Sequence, residues 1–600
     1  MFFENAAKKR DAILRISPPV PSTDWRPPQY FPDLRDAAVI GFDVERREID
    51  FAKHGPGWGR GTGYMCGFSI AARSRSGEAG RWYFPIRHAV ESEWNLEPAP
   101  VLAWAKQILE TAHIPKVGAA LIYDVGSMAA EGINVAGELH DCQFAEALFS
   151  EDGEVNLDFL GIKYTGAGKE TNALYEWLAK AYGGSASPDQ RANIWRAPPR
   201  LAGPYGEQDA DLPLQVLEKQ WPIMASMGLL DVYRLECDLI QLLVKMRIQG
   251  VAVDLGYTDW LYNDLGNQLE QKIEALSYQV GFKVNVNSGA HLARMFDQVG
   301  LDYPRTNLGN PSFVKDYLKS VDHDFPRAVI EIRELDKLRE TFLKGYILEG
   351  NVNSRIHCNF NPMRGDESGT RSGRLSSDKP NLQNIPSRTD NGKLIRKCFV
   401  PTNGRWWKAD YKQVEYRVLA HYAEGGGSDE LRIKYNSDPE TDYHKQVQDA
   451  VKAKTGRLIE RTPIKNLNFG LVFGMGEDKL KRQNNFTDAQ AKEIFAAYHE
   501  GAPYVKETMR AMAFEAGQQG GITTILGRRS YFDLWEPIAW GRENRKPGLP
   551  YDQAIMAYGD RIRRAALHKA VNRRIQGSAA DLMKKAMRNC YAAGLFDIVG

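Results

Sequence analysis

Residues 39–49 read VIGFDVERREI, an apolar run that leads into two acids, Asp43 and Glu45. The run has the composition of a β-strand, and residues two apart on a strand project from one face, roughly 6 to 7 Å apart by rise. Two carboxylates placed there share a cation. An acid pair at a strand end is also an ordinary surface feature, so further acids decide between the readings. The run KVGAALIYDVGSM puts Asp124 after a second apolar segment, and PYGEQDADLPLQV offers Tyr205 and Asp209 at i and i+4, on one helical face. Clustered carboxylates repel one another and need divalent ions, and hard Mg²⁺ or Mn²⁺ suits oxygen ligands. This constellation reads as a metal-assisted phosphodiester hydrolase.

Around these acids, from Val39 to about Met224, short apolar runs such as RWYFPI alternate with helical patterns such as VLAWAKQILETA, the rhythm of a mixed α/β domain ending near Trp221–Pro222. From Leu235 to Tyr346 apolar residues recur three or four apart, which predicts a helical connector. A strand-like IHCNFNP opens the last region, where strands and long helices mix to Gly600. The chain of 600 residues, 43% hydrophobic and 26% charged, is composed like several folded domains rather than a disordered or collagenous chain. Lys plus Arg number 78 against 76 Asp plus Glu, so the net charge of +2 does not by itself announce a polyanionic partner. No apolar run approaches the ~18 to 20 residues that cross a bilayer, and the start lacks a secretory h-region, so a cytoplasmic chain with no membrane partner is expected. Six scattered cysteines without a C-x-x-C pair fit reduced thiols.

A second constellation lies downstream. In RWWKADYKQVEYRVLAHYA, residues 405–423, aromatic residues lead as a strand into Asp410, and an amphipathic helix begins near Gln413. RTPIKNLNFGLVFGMG, residues 461–476, sets Arg461, Lys465, Phe469 and Phe473 at four-residue steps along one stripe of a helix, spanning roughly 18 Å. Two cations one turn apart suit a triphosphate, and an aromatic one turn on suits a base. DESGTRSGRLSSDKPNLQNIPSR is dense in types that contact phosphates, sugars and base edges. From Arg561 to Arg588 nine Lys or Arg stand against one Asp, which reads as an electrostatic DNA face. YTGAGKET, by contrast, misses the phosphate-loop spacing at Lys163 and Glu170 and reads as a plain loop, and Asp141 in HDCQFAEALF reads as structural.

The order Asp-x-Glu, Asp, Tyr-x-x-x-Asp over residues 39–211 resembles the DEDDy type of proofreading 3′-5′ exonuclease, with Ala120 where that family usually has Asn. SGRLSSDKPNLQNIP, DYKQVEYRVLAH, R-x-x-x-K-x-x-N-F-G-L-V-F-G, TTILGRRS and IQGSAADLMKKAM, in this order, resemble family A DNA polymerases of the bacterial polymerase I and bacteriophage replicase group. The resemblance implies an α/β multidomain chain. Its parts would be an N-terminal segment 1–38, a ribonuclease H-like exonuclease domain 39–225, thumb and connecting helices 226–354, and the palm and fingers of a right-hand polymerase 355–600. It implies template-directed addition of dNTPs to a primer on primer-template DNA, with proofreading, two Mg²⁺ per active site (Mn²⁺ as substitute), a monomer, and a helicase-primase as possible partner in phage replication.

Residue by residue, the resemblance implies metal ligation by Asp43, Glu45, Asp124 and Asp209 with Tyr205 beside them, and by Asp410 with the Tyr411 carbonyl in the palm. The dNTP would meet Gln413, Glu415 (which excludes a ribose 2′-hydroxyl), His444, Arg461, Lys465 (proton donor to pyrophosphate), Phe469 and Phe473. DNA would meet Arg374, Asn381, Gln383, Asn384, Asn572 and Gln576. Phe473, Lys412 and His568 depart from the usual Tyr, Ser and Arg. The 38 residues before Val39 hold no 5′-nuclease domain, as in a phage enzyme, and no thioredoxin-type insert is expected in the thumb. The family's His-Asp-Glu motif should follow the Gln576 helix by about thirty residues, and the sequence stops at Gly600. A palm without that acid should polymerise very poorly. The alternative function is therefore a DNA-binding 3′-5′ exonuclease with a truncated, non-polymerising palm.

Overall fold

The computed structural model describes residues 18–151, 153–364, 369–387, 389–456, 461–484, 486–538 and 545–596. Of the expected N-terminal segment, residues 1–17 lie outside the described residues.

The VIGFDVERREI stretch forms β1 (Ala37–Arg47), the centre of a five-stranded sheet with β2 (Tyr64–Ser74), β3 (Ala79–Pro85), β4 (Lys116–Gly118) and β5 (Leu139–Asp141). The order is β3-β2-β1-β4-β5, antiparallel on the β2 side and parallel on the β4 side. Most of β1 is buried, because helices cover both faces of a sheet with parallel connections. Helices α1 (Pro98–Leu109), α2 (Leu121–Ala130) and α3 (Cys142–Phe149) follow the strands. Helices α4 (Leu157–Thr165) and α5 (Asn172–Tyr182) lead to the 28-residue α6 (Pro199–Ser226), which crosses the sheet. Helix α6 continues through Trp221–Pro222 and ends only at Ser226.

Gly41 sets how closely α6 approaches. A Cβ at position 41 would lie 2.1 Å from the carbonyl oxygen of Ala210 and 3.0 Å from Leu214. Only a residue without a side chain lets the helix backbone rest on the strand there.

The connector is helical as expected: α7 (Leu230–Asp238), α8 (Ile240–Gln249), α9 (Leu255–Val280) and α10 (Asp324–Lys337), which continues as a π-helical segment Leu338–Leu348. Leu261 and Leu265 of α9 pack against Leu335, Leu338 and Phe342, closing one core between the two long helices. The last region is helix-rich, with α11 (Val414–Tyr422), α12 (Tyr443–Thr455), α13 (Arg461–Val472), α14 (Pro503–Gln519) and α15 (Ala570–Ala592) around a second large core, and its strands are short two-stranded pairs.

One expectation fails here. Residues 405–410, RWWKAD, form no strand: the segment is unpaired and exposed, with Trp406 and Trp407 open to solvent. An apolar stretch becomes a strand only when a neighbour takes up its backbone hydrogen bonds, and among the described residues none does. Five of the nine cations expected to form a DNA face over 561–588 are paired with acids, while Arg561, Lys569 and Lys585 stay exposed. Arg563 pairs with Glu536, Arg573 with Glu151, Arg574 with Glu515, Lys584 with Glu236 and Arg588 with Asp238. The acids that answer these cations come from distant segments, which local charge counting does not see.

Gly41→Ala should push α6 off β1 and lower stability by about 1 to 3 kcal/mol, the usual cost of overpacking. Chemical denaturation of the two proteins measures it.

Candidate active sites

The first site lies where α6 crosses β1. Asp43 and Glu45 sit two apart on the strand, and Asp209 faces them one helical turn after Tyr205, on the face that Gly41 lets approach. Ligand atoms of Asp43, Glu45 and Asp209 all lie within 4.8 Å of one another, so the three expected acids from two distant segments do meet. Among the described residues, this is the one group of three or more such donors. Asp124, on the first turn of α2, stands behind it: its Oδ1 accepts the Val44 N–H at 3.1 Å, which ties one of its oxygens to the strand backbone. Tyr205 is buried beside Tyr175, their ring centroids 6.0 Å apart.

These acids are held against their own preference for water. Burial, reinforced by the charge of Asp209, raises Asp43 to about 7. Burial and then the charge of Asp43 raise both Glu45 and Asp124 well above the carboxylate range. Asp43 Oδ2 is buried without a hydrogen-bond partner. A buried, unsatisfied carboxylate oxygen amid other acids is costly unless a cation completes it, and hard oxygen donors of this kind fit Mg²⁺ or Mn²⁺.

The sequence gives no warning of Lys169. The loop read as featureless, between α4 and α5, delivers Lys169 into the acids: its Nζ is 2.5 Å from Asp209 Oδ1 and 3.4 Å from Tyr205 Oη. Burial acts to lower Lys169, but Asp209 outweighs it and raises the amine above its ordinary value, so it stays charged. Arg191, exposed on the 3₁₀ segment Pro188–Arg196, adds a second positive field on Asp43, Glu45 and Asp209. Asp141 is structural, as expected. It caps α3 by accepting the Gln143 N–H at 2.8 Å and also accepts the Leu121 N–H at 2.8 Å.

The second site gathers on α11, α12 and α13. Asp410 and Tyr411 are exposed on the loop entering α11. Gln413 takes the N-cap position in the left-handed region, and its Oε1 accepts from the Tyr435 hydroxyl at 3.0 Å and the Tyr443 N–H at 3.2 Å, so it braces α12 rather than facing open space. Glu415 is paired with Arg374, which joins an expected nucleotide contact to an expected DNA contact; burial raises its carboxyl while Arg374 opposes the shift. His444 is buried, its Nδ1 2.9 Å from Asn468 Nδ2 and its ring against Tyr416, so it braces α13 from within.

Lys465 and Phe469 lie on α13 and Phe473 follows its end at Val472, in the order the spacing gives. Lys465 and Phe469 are exposed, Phe469 packs edge-on against Tyr416 at 5.5 Å, and Phe473 follows Phe469 at 5.9 Å. Arg461 heads the helix, and its side chain lies outside the described residues. Tyr416, Tyr443 and Tyr498 form the floor beneath this stripe: Tyr416 stacks on Tyr443 at 4.6 Å, and the Tyr443 and Tyr498 hydroxyls are 3.2 Å apart. Asn381 accepts the Gln383 N–H at 3.1 Å and Gln383 donates to the Leu375 carbonyl, so both shape the turn beside Arg374; Asn384 ends the same short 3₁₀ turn. Asn572 and Gln576 stand one turn apart on α15, partly buried.

Comparison with known proteins bears on the polymerase reading. The family model for DNA polymerase family A matches residues 257–594. The DNA-directed DNA polymerase of Pseudomonas phage M6 is 30% identical, over 96% of this chain and 90% of its own. DNA polymerase DpoZ of Vibrio phage phiVC8 is 28% identical over 84% of this chain and 83% of its own. DNA polymerase I of Pseudomonas aeruginosa is 28% identical over 92% of this chain, which spans 57% of that longer protein. Among solved structures, the POL domain of Pol1 from M. smegmatis, in complex with DNA primer-template and dNTP, superposes with a TM-score of 0.69 at 23% identity over 93% of this chain and 86% of that one, a likeness of fold.

Because Asp43 folds with its pKa raised to about 7, against an ordinary value of 3.8, the protonated site stabilises the metal-free protein at low pH, and that stability is lost as pH rises through about 7. Melting in a chelator should therefore fall from about pH 5 to pH 8 by less in Asp43→Asn than in the wild type. Ala120, which begins α2, has φ of 61°, a conformation that costs a non-glycine residue roughly 1 to 2 kcal/mol. Ala120→Gly should raise stability by about 1 kcal/mol in urea denaturation.

Proposed function

The chain belongs to DNA polymerase family A and is a DNA-directed DNA polymerase, and on that premise we propose that it works at two sites, extending a primer at the Asp410 site and removing 3′-terminal nucleotides at the Asp43–Glu45–Asp209 site. The observation that carries the second activity is the meeting of three acids within 4.8 Å around a carboxylate oxygen that has no hydrogen-bond partner. Asp43, Glu45 and Asp209 would hold Mg²⁺ or Mn²⁺ there, with Asp124 behind them. When bound, such a cation supplies Lewis-acid charge to a phosphodiester and lowers the pKa of water. Tyr205, buried and fixed against Tyr175, would orient the attacking water and the terminal nucleotide.

Primer-template DNA and a dNTP, which accompany the M. smegmatis Pol1 domain, would meet this chain along α13 and α15. Lys465 would neutralise the triphosphate and donate a proton to the departing pyrophosphate, with Arg461 and His444 as its expected partners. Phe469, held edge-on by Tyr416, would support the incoming base, with Phe473 beyond it towards the template. Glu415, held by Arg374, would fill the space of a ribose 2′-hydroxyl, which makes DNA the product. Asn381, Gln383, Asn384, Asn572 and Gln576 would read primer and template edges. Asp410 belongs to no group of three donors among the described residues, so its proposed metal role rests on its motif.

The two activities should separate by mutation. Asp410→Ala should lose primer extension by about 10²- to 10³-fold and keep single-strand digestion, and Asp43→Ala should do the reverse. Primer extension at the wild-type rate by Asp410→Ala would remove the palm assignment, and wild-type digestion by Asp43→Ala would remove the exonuclease assignment.

A further inference from the structure

Lys169 is a buried cation at a site that should hold a different cation. Its Nζ is 2.5 Å from Asp209 Oδ1, one of the donors that the other acids converge on, and lies 4.7 Å over the ring of Tyr205. The loop that carries it is fastened at both ends of the lysine. The Lys169 N–H donates to Asp158 Oδ1 at 2.7 Å, and the Glu170 N–H donates to Gln208 Oε1 at 2.9 Å, on the residue preceding Asp209. Gly168 packs against the same Asp158 carboxylate, where a Cβ would lie 2.7 Å from Oδ1. The side chain is thus placed by its backbone, anchored to α4 through Asp158 and to α6, which carries its acid partner, through Gln208.

We propose that Lys169 is a positioning residue of this site: a tethered counter-ion that holds Asp209 and Tyr205 in register while no divalent cation is bound, and that competes with the divalent cation for Asp209. The proposal rests on the exonuclease reading given above. Its physical basis is charge balance. Asp43, Glu45 and Asp209 face one nearly buried cation, Lys169, with Arg191 at the exposed edge and Asp124 behind them. Four acids in a buried space would repel one another and drift apart without a resident positive charge. An ammonium is a single charge that donates to acceptors and leaves carboxylate oxygens free, as Asp43 Oδ2 is here. A divalent ion brings twice the charge to the same oxygens, so it displaces the ammonium from Asp209 and the lysine lowers the net affinity for it. The acids are preorganised at the expense of metal affinity.

The test is Mn²⁺ binding to the full chain, comparing wild type, Lys169→Met, Lys169→Arg and Asp43→Ala; the site in question is the one that Asp43→Ala removes. Lys169→Met should bind Mn²⁺ at that site on the order of tenfold more tightly, because removing a positive charge raises the ligand charge count. It should also reach half-maximal digestion of single-stranded DNA at a correspondingly lower Mn²⁺ concentration. Lys169→Arg should keep an affinity close to wild type. If Lys169→Met folds poorly, Lys169→Gln carries the same expectation. Mn²⁺ affinity that is unchanged or weaker in both neutral variants would overturn the proposal and leave Lys169 a structural prop, with the exonuclease reading intact. Arg behaving like Met would overturn it as well, since shape rather than charge would then matter. If Asp43→Ala removes no Mn²⁺ site at all, the exonuclease reading itself fails.

Discussion

The carbonyl oxygen of Ala210 occupies the space that a Cβ at position 41 would need, and this one contact between a helix backbone and a strand backbone fixes the Asp43–Glu45–Asp209 cluster. Asp43 and Glu45 project from β1 two and four residues beyond that point, and Asp209 immediately precedes Ala210 on α6. Pressing the helix onto the strand is therefore what brings the third acid to the other two. Had the helix stood off by the width of a side chain, the Asp209 carboxylate would no longer lie within 4.8 Å of those of Asp43 and Glu45. The unfavourable burial of these acids, visible in their raised pKa values, is the cost of that closeness. Lys169 and a divalent ion are two ways of offsetting it.

The two halves of the molecule are joined by a charged interior rather than by apolar contact alone. Glu236 of α7, Arg528, and Asp581 and Lys584 of α15 are all buried, with Arg528 2.7 Å from Asp581 and Lys584 2.7 Å from Glu236. The network is balanced in sign, and Thr524 and the Pro362 carbonyl satisfy the remaining groups. Removing one member of such a set leaves a buried charge unanswered, which typically costs about 3 to 5 kcal/mol. It fixes the helix bearing Asn572 and Gln576 to the connector that leaves the five-stranded sheet domain. The pair of Arg573 with Glu151 adds a direct tie from that helix to the segment that follows α3.

Much of this was legible in the sequence. The spacing of Asp43 and Glu45 on a strand, and of Tyr205 and Asp209 on a helix, placed each pair on one face without reference to tertiary structure, and the four-residue steps of Lys465, Phe469 and Phe473 gave the α13 stripe. What escaped was whatever depends on partners far along the chain. Lys169 sits in a loop with no periodicity, and only the packing of that loop on α6 makes it part of a site. Three cations of 561–588, Arg573, Arg574 and Lys584, look free when counted locally, but Glu151, Glu515 and Glu236 answer them from elsewhere. RWWKAD has the composition of a strand, yet strand formation requires a neighbour, which local composition cannot specify. Gln413 and the Nδ1 of His444 also make hydrogen bonds at the junction of α11, α12 and α13, a bracing that spacing alone does not specify.

The central claim is that one folded contact creates a divalent-cation site from Asp43, Glu45 and Asp209. Anomalous diffraction from crystals of the chain grown with Mn²⁺ tests it most directly. The account predicts an anomalous peak bonded to oxygens of all three acids, with the Lys169 amine withdrawn from Asp209. Well-ordered side chains with no peak between them, or a peak bonded elsewhere while Lys169 keeps its pairing with Asp209, would contradict it.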